Sequence, residues 1–126
     1  PLSSGLLTGR MSLQTSFSPD DHRLFNRHGE QFDRGETFSG LDFETGLKAV
    51  DLLKPLVPAG QTLAQMALRW IQMHPAVTCS IPGGKRAAQV QDNASAADLP
   101  PLSDATLQAI SAIYDQFAKP LVHQRW

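Results

Sequence analysis

The sequence predicts an α/β architecture with parallel strands, and three observations carry that prediction. A capped helix with one apolar face begins at Thr62. The short segment 77–81 is bounded by turn residues and has the length of a buried strand. A second helical pattern follows Gly84 and runs to about Ala94. Alternation of helix, strand and helix is typical of parallel α/β folds, and the strand at 77–81 requires further strands to pair with its backbone.

The first 40 residues are predicted to be mostly irregular. Residues 3–40 are rich in Ser, Asp, Gly, His and Arg, and their large apolar residues are scattered. Such a long segment in a compact domain is usually functional or mobile, and its aromatic residues argue against disorder. The apolar anchors expected in it are Leu6, Leu7, Phe17, Leu24, Phe25, Phe32 and Phe38.

Two helices are predicted in the middle of the chain. Residues 42–54 form a helix that Asp42 caps and Pro55 ends. The next helix starts with a capping box, in which Thr62 and Gln65 satisfy each other's end of the first turn. Its apolar stripe, which we expect to be part of the core, is Leu63, Met66, Ala67, Trp70 and Ile71.

The remainder predicts a strand, two helices and a tail. Cys79 lies in the predicted strand and is expected to be an inert, small apolar residue. Ser103 caps the last helix, and the tail 120–126 is expected to be extended. Tyr114 is expected to be a packing residue of that helix rather than an acid catalyst. The residues expected to face inward from it are Leu107, Ile110, Ile113, Tyr114 and Phe117.

Composition excludes several classes of protein. The chain has 126 residues and a formal net charge of −1, which argues against a nucleic-acid surface. Its one cysteine excludes an intramolecular disulfide framework. No apolar run reaches the ~18 residues of a membrane span, and no signal peptide is visible, so we expect a cytoplasmic protein. Neighbouring Asp20, Asp21 and His22 point apart and have no second ligand cluster, so no metal site is expected.

The segment 82–93 has the composition of an anion site. Gly83 and Gly84 allow backbone amides to approach a ligand, and the following helix presents free N–H groups. Lys85 and Arg86 add positive charge at the positive end of the helix dipole, where a phosphate would offset them. The residues that could address hydroxyls or an adenine edge are Gln89, Asp92 and Asn93. The alternative is a tight turn followed by a solvated polar helix, since this pattern is neither G-x-G-x-x-G nor a P-loop.

The segment 1–10 is a second candidate phosphate loop. It combines small hydroxyl residues and glycines with a following cation, Arg10. That composition suits a pyrophosphate, and a plain surface turn is the alternative.

Taken together, the two glycine-containing loops and the helix between them resemble the C-terminal part of aldo-keto reductases. The residues that carry the resemblance are Pro1-Leu2-Ser3-Ser4-Gly5-Leu6-Leu7-Thr8-Gly9-Arg10, Gln65-Met66-Ala67-Leu68-Arg69-Trp70, Pro75-Ala76-Val77-Thr78, Ile81-Pro82-Gly83, Gln89, Asn93 and Leu102-Ser103. The likeness covers nearly the whole chain and is weakest at 11–40 and in the tail.

The resemblance implies a partial (β/α)8 TIM barrel that binds NADP(H). Residues 1–126 would be the C-terminal portion of that barrel, about the last two βα units plus a C-terminal helix. We expect this portion to be mostly helical as it stands and to be no complete independent domain. Residues 1–2 would end the seventh strand and 77–81 would be the eighth. The missing N-terminal part of the barrel would be its partner. Both candidate loops would then follow the strands after which barrels commonly hold phosphate.

The resemblance also implies a role for each cofactor-binding residue. The residues implied to line the pyrophosphate are Leu2, Ser3 and Ser4, and those on the loop over the cofactor are Arg10 and Arg23. The residues implied around the 2′-phosphate are Gly83, Lys85 and Arg86, and those at the adenosine are Gln89, Asp92 and Asn93. Many family members carry Lys or Arg at the position of Gln89 or Gly83, so here the hold on the 2′-phosphate rests on Lys85 and Arg86.

The implied activity is reduction of aldehydes or ketones to alcohols by hydride transfer from NADPH, with a small carbonyl compound as substrate. The family's catalytic Asp, Tyr, Lys and His lie on earlier strands and match no position here. The fragment is therefore expected to lack reductase activity on its own and to be poorly stable. Two alternatives stay open: a non-catalytic nucleotide-binding or regulatory module, as in relatives that act as channel-associated subunits, and an interaction module whose apolar helix faces dock on a partner.

Overall fold

A computed structural model describes residues 1–125; Trp126, the end of the predicted tail, lies outside the described residues. The helices in that range are α1 (His22–Phe25), α2 (Phe43–Leu53), α3 (Leu63–Gln72), α4 (Ala87–Ser95), α5 (Asp104–Ile113) and α6 (Lys119–Val122). A π-helical turn, Tyr114–Ala118, joins α5 to α6. The short 3-10 turns are Ser3–Thr8, Arg34–Glu36, Phe38–Gly40, Lys54–Leu56, Ala96–Asp98 and His123–Arg125.

The predicted helix starts of α2, α3 and α5 are confirmed at the level of single hydrogen bonds. The Asp42 carboxylate accepts the backbone N–H of Thr45 at 2.9 Å. At the start of α3, Thr62 Oγ1 accepts the N–H of Gln65 and Gln65 Oε1 accepts the N–H of Thr62. Ser103 Oγ accepts the N–H of Thr106 at 3.2 Å. Each cap satisfies an N–H that the first helical turn leaves free, so these boundaries are encoded locally.

The core forms where α2 and α3 pack against the turn Ser3–Thr8. Leu6 of that turn is 2% exposed, and it lies so close to Gly46 of α2 that a Cβ there would meet its Cδ1 at 2.7 Å. The buried residues of this cluster are Leu6, Phe38, Phe43, Leu47, Val50, Leu63, Met66 and Leu102. The first segment of the chain is therefore held against the two central helices by apolar burial.

The stripe predicted for α3 is correct at Leu63 and Met66 and wrong at Trp70. Trp70 is exposed and packs edge-on against His74, with ring centroids 4.5 Å apart. Leu68, which lies outside the stripe, is almost completely buried. The reason is that α3 contacts the Ala96–Asp98 turn as well as the first turn, so two of its faces are covered.

The buried strand predicted at 77–81 is wrong. Residues 77–84 have no regular secondary structure, Ile81 is 85% exposed and Cys79 is exposed. Within residues 1–125 there is no strand, so an extended segment here has no neighbour to satisfy its N–H and C=O groups. The described chain is helical, and the α/β expectation is met only in its helices.

The extended tail is also wrong over its described part. Residues 119–125 form α6 and a 3-10 turn. Val122 of α6 is 5% exposed and lies against the turn Phe38–Gly40, where a Cβ on Gly40 would meet Val122 Cγ1 at 3.3 Å. Burial of this one side chain anchors the last helix. None of the helices in residues 1–125 has the length and apolar character needed to cross a membrane.

A large apolar groove remains open between α2, α3 and α5. Its volume is about 720 Å³. Residues predicted to face inward line it, among them Trp70, Ile71, Ile110 and Phe117. Tyr114 also lines it, is exposed, and shares a 2.8 Å hydrogen bond with His123 Nδ1, so its predicted role as a packing residue is wrong.

Candidate functional site

The first candidate loop is a turn with unusual backbone geometry. Leu2 has φ −107° and ψ 17°, and the next three residues have positive φ: 50° at Ser3, 52° at Ser4 and 92° at Gly5. Positive φ is uncommon for residues other than glycine and is found mostly where the surrounding structure enforces it. In the described chain, the N–H groups of Ser3 and Ser4 have no hydrogen-bond acceptor.

A second turn with positive φ, at Phe38 and Ser39, is hydrogen-bonded to the first. Ser3 Oγ and Ser39 Oγ are 2.9 Å apart. Ser4 Oγ accepts the backbone N–H of Phe38 at 3.0 Å and donates to the carbonyl of Glu36 at 3.3 Å. The Ser4 hydroxyl is therefore used within the fold, and the backbone is what this turn offers to a ligand. We call these mutually bonded turns, residues 3–5 and 36–39, the serine clasp.

Arg23 lies beside the serine clasp. Its Nη1 donates to the carbonyl of Ser4 at 3.4 Å, and its guanidinium lies 4.6 Å from the ring centroid of Phe17. The carboxylate of Asp21 holds it in a fork, with Nε at 2.9 Å from Oδ1 and Nη2 at 2.6 Å from Oδ2. The hydrogen bond from Arg23 lowers the pKa of Asp21 to about 2, and the same pairing raises the pKa of Arg23.

Two other predicted residues of this loop lie apart from that cluster. Leu2 is half-buried, and its carbonyl oxygen accepts hydrogen bonds from the backbone N–H groups of Gly5 and Leu7. Arg10 is exposed, and its side chain forms no ion pair or hydrogen bond within residues 1–125. The structure thus brings Ser3, Ser4 and Arg23 together and leaves Arg10 in solvent.

The second candidate loop is organised by Gln89. Its Oε1 accepts the backbone N–H of Lys85 at 2.8 Å and that of Arg86 at 3.1 Å. Asn93, one turn further along α4, donates from Nδ2 to the carbonyl of Gly83 at 3.3 Å. The loop is therefore folded onto the first turn of α4. Lys85 and Arg86 are both exposed, and neither forms a salt bridge in the described part of the chain.

Gln65 attaches α4 to α3. Besides capping α3, Gln65 donates from Nε2 to Ser95 Oγ at 3.1 Å and to the carbonyl of Asp92 at 3.4 Å. Arg69 Nη1 donates to the carbonyl of Ala97 at 3.4 Å on the same side. Asp92 thus contributes its backbone to this attachment and keeps an exposed side chain.

The two groups of predicted residues remain separate. No hydrogen bond or ion pair within residues 1–125 joins the clasp to the loop 83–86, and the irregular segment 77–82 lies between them in sequence. No group of three or more His, Cys, Asp or Glu side chains in that range is arranged to hold a metal ion.

Sequence reasoning missed Asp21, Ser39 and the second role of Gln65. Ser39 meets Ser3 across 36 positions, and Gln65 meets Ser95 across 30, so no local pattern could reveal either contact. Asp21 does have a local signal, because it caps α1 and precedes Arg23 by two residues.

Chemically, both loops suit an anion. The clasp presents backbone N–H groups beside a guanidinium, and the loop 83–86 presents two cations at a helix start. Backbone N–H groups beside added positive charge are a combination typical of phosphate-binding loops.

Comparison with known proteins gives the family. The aldo/keto reductase family model matches residues 1–115. The chain belongs to the aldo/keto reductase family, as its loops indicated. The family's fold is a (β/α)8 barrel, and the helical structure described here is consistent with part of one.

Curated relatives support the same assignment. The chain is 33% identical over 103 residues to a probable voltage-gated potassium channel subunit beta of Arabidopsis thaliana. It is 37% identical over 97 residues to the L-glyceraldehyde 3-phosphate reductases of Escherichia coli O157:H7 and K12. These matches cover 81% and 76% of this chain but only 29% and 26% of the relatives. No solved structure matches at a significant level.

Proposed function

We propose that this chain forms the phosphate- and adenosine-binding part of an NADP(H)-dependent oxidoreductase that reduces aldehydes or ketones to alcohols. Family membership supports oxidoreductase activity and use of NAD(P)H in general. The observation that carries the finer proposal is the loop 83–86. Gln89 fixes its backbone, and the two cations at the start of α4 form no salt bridge within residues 1–125.

The groups left free by the fold suit a phosphorylated nucleotide. Gln89 uses Oε1 and Asn93 uses Nδ2 within the loop, which leaves Gln89 Nε2 and Asn93 Oδ1 without a partner in the described residues. The free NH2 group of Gln89 and the free carbonyl oxygen of Asn93 can address ribose hydroxyls or an adenine edge. Lys85 and Arg86 supply the charge that a 2′-phosphate requires. At the clasp, the N–H groups of Ser3 and Ser4 and the guanidinium of Arg23 supply donors for a diphosphate.

On this proposal, the chain binds and orients. When bound, NADPH supplies the hydride. Arg23 and the clasp hold the diphosphate, and Lys85, Arg86, Gln89 and Asn93 hold the adenosine end. Holding the adenosine end and the central diphosphate limits where the nicotinamide can lie, which is the positional contribution to catalysis. Protonation of the carbonyl oxygen requires an acid, and that group is not assigned to a residue of this chain.

Titration with NADPH and NADH tests the proposal in the full-length protein. We expect Lys85→Ala and Arg86→Ala each to weaken NADPH binding about tenfold, as loss of one charge-assisted hydrogen bond does. NADH lacks the 2′-phosphate, so its binding should change less than twofold. Lys119→Ala is the matched control, because Lys119 is an exposed cation that pairs with Asp115. Wild-type protein that binds neither nucleotide, or equal losses for both, would contradict the proposal.

A non-catalytic role is the second candidate. One relative is described as a probable potassium channel subunit beta, and the apolar groove offers a face for a partner. Saturable NADPH binding together with no turnover of any aldehyde or ketone, in the full-length protein, would favour that role over the reductase.

A further inference from the structure

Every hydrogen bond that the Asp21 side chain accepts in the described chain comes from Arg23. Oδ1 accepts the backbone N–H of Arg23 at 2.9 Å and its Nε at 2.9 Å, and Oδ2 accepts Nε at 3.2 Å and Nη2 at 2.6 Å. One carboxylate thus fixes both ends of the same residue, its backbone and its guanidinium. A bidentate pair of this kind constrains the plane of the guanidinium as well as its position.

Phe17 lies against the face of the Arg23 guanidinium, whereas Asp21 binds its edge. The Phe17 ring lies 4.6 Å from Arg23 Cζ, and it packs against Phe38 and Phe43 at centroid distances of 6.1 and 5.8 Å. Phe38 and Phe43 belong to the buried core, so the ring beneath Arg23 is itself held in place. Between Asp21 and Phe17, the Nη1 side of Arg23 is directed to the Ser4 carbonyl.

We propose that Asp21 is a positioning residue, which holds Arg23 over the clasp in the orientation that binds the diphosphate of the cofactor. The inference rests on the proposed function. Asp21 occupies the Nε and Nη2 edge of the fork, and the Ser4 carbonyl takes one N–H of Nη1. The second N–H of Nη1 and the outer N–H of Nη2 remain for an anion. An arginine already held in place loses little side-chain freedom when it binds, and this gain outweighs the partial neutralisation by the carboxylate.

The charge state of Asp21 is compatible with this role. Its pKa is lowered to about 2, chiefly by the hydrogen bond from Arg23, so the carboxylate is ionised throughout the neutral range. The pair is partly shielded, with 19% of the Asp21 side chain and 28% of the Arg23 side chain exposed. Salt therefore screens this pair less than a fully exposed one.

Calorimetric titration of the full-length protein with NADP⁺ and with adenosine 2′-monophosphate tests the inference. Adenosine 2′-monophosphate has the 2′-phosphate but no diphosphate. Asp21→Asn keeps a good helix cap and loses the charged fork. We expect it to weaken NADP⁺ about tenfold and adenosine 2′-monophosphate less than twofold. Asp51→Asn is the control, because Asp51 forms an exposed pair with Lys54.

A double variant separates positioning from a general structural effect. Arg23→Ala should weaken NADP⁺ at least as much as Asp21→Asn, and adding Asp21→Asn to it should cause no further loss, because Asp21 acts through Arg23. Should Asp21→Asn fail to fold, Phe17→Leu removes the ring beneath Arg23 and should give the same selective loss.

Three outcomes overturn the inference. NADP⁺ binding that is unchanged or tighter in Asp21→Asn would make the carboxylate a bystander or a competitor of the phosphate. Additive losses in the double variant would make it independent of Arg23. Wild-type protein that binds neither ligand would overturn the proposed function as well, whereas normal wild-type binding with an unaffected Asp21→Asn would overturn this inference alone.

Discussion

Gln89 illustrates how one side chain can organise a loop. Its Oε1 accepts the N–H groups of two successive residues, Lys85 and Arg86, ahead of α4. These N–H groups otherwise have no partner in the described residues, because a helix leaves its first N–H groups free. Gln89 thus caps α4 from within its first turn, whereas Ser103 caps α5 from the position before the helix. The two cations are held at a helix start, where the dipole makes them unfavourable unless an anion is near.

Gln89→Ala is expected to loosen this loop without unfolding the protein. Loss of both hydrogen bonds should cost about 1 kcal/mol locally, which raises the hydrogen-exchange rate of the Lys85 and Arg86 amides about fivefold. Hydrogen exchange followed by mass spectrometry or NMR measures this directly. Gln91→Ala is the matched control, since Gln91 is exposed on the same helix and its side chain forms no hydrogen bond within residues 1–125. Equal exchange in Gln89→Ala and wild type would contradict this account of the loop.

At the scale of elements, α3 connects the two candidate loops. Its N-terminal Leu63 packs in the cluster that contains Leu6, and Gln65 bonds to the backbone and side chain at the end of α4. Gln65 therefore has two functions that use different atoms. Oε1 completes the capping box, and Nε2 attaches α4.

Gln65→Glu separates these two functions. The carboxylate keeps an acceptor for Thr62 but has no donor for Ser95 Oγ or the Asp92 carbonyl. We expect exchange across Ala87–Ser95 to rise severalfold while the amides at the start of α3 stay protected, with a global loss of about 1 kcal/mol. Gln108→Glu, on the exposed side of α5, controls for the added charge. Equal loss of protection in α3 and α4 would show that the two functions are not separable.

The sequence predicted those elements whose determinants are local. Helix caps at Asp42, Thr62 and Ser103 are set by residues three positions apart, and all three were predicted. The strand predicted at 77–81 does not form, because a strand requires neighbours that the described residues do not provide. The clasp was missed for a similar reason, since Ser3 and Ser39 are brought together only by the packing of Phe38 and Leu6 in one core.

The candidate site likewise has one part that local sequence predicts and another that depends on long-range contacts. The grouping of Lys85, Arg86, Gln89 and Asn93 follows from helical spacing, and the hydrogen bonds reproduce it. The position of Arg23 beside Ser4 bridges 19 residues of irregular chain, and only the resemblance to the family suggested it. The roles assigned to all eleven cofactor-binding residues remain predictions until a ligand is titrated.

For the whole molecule, the exposed surface is larger than its mass warrants. The accessible surface is 7996 Å² for 13.7 kDa, whereas a compact monomer of that mass exposes about 6,600 Å². The excess, roughly 1,400 Å², is comparable with the total area of a standard protein interface. Two features contribute to it: the apolar groove, and the segment 77–84, whose backbone has no strand to pair with in the described part of the chain.

A polypeptide limited to residues 1–126 should therefore associate or remain loosely folded. The exposed apolar walls of the groove reduce the apolar area buried on folding, and backbone N–H and C=O groups without partners favour pairing with other chains. We expect sedimentation velocity at micromolar concentrations to show oligomers, and the dye ANS to bind with strong fluorescence. We expect urea to unfold the polypeptide over a broad range, because little surface is newly exposed. The same measurements on any longer protein that contains these residues are the control. A dilute monomer of residues 1–126 that unfolds cooperatively without binding ANS would contradict this. Such a result would show that the walls of the groove close on one another, since a dilute monomer has no second chain to cover them.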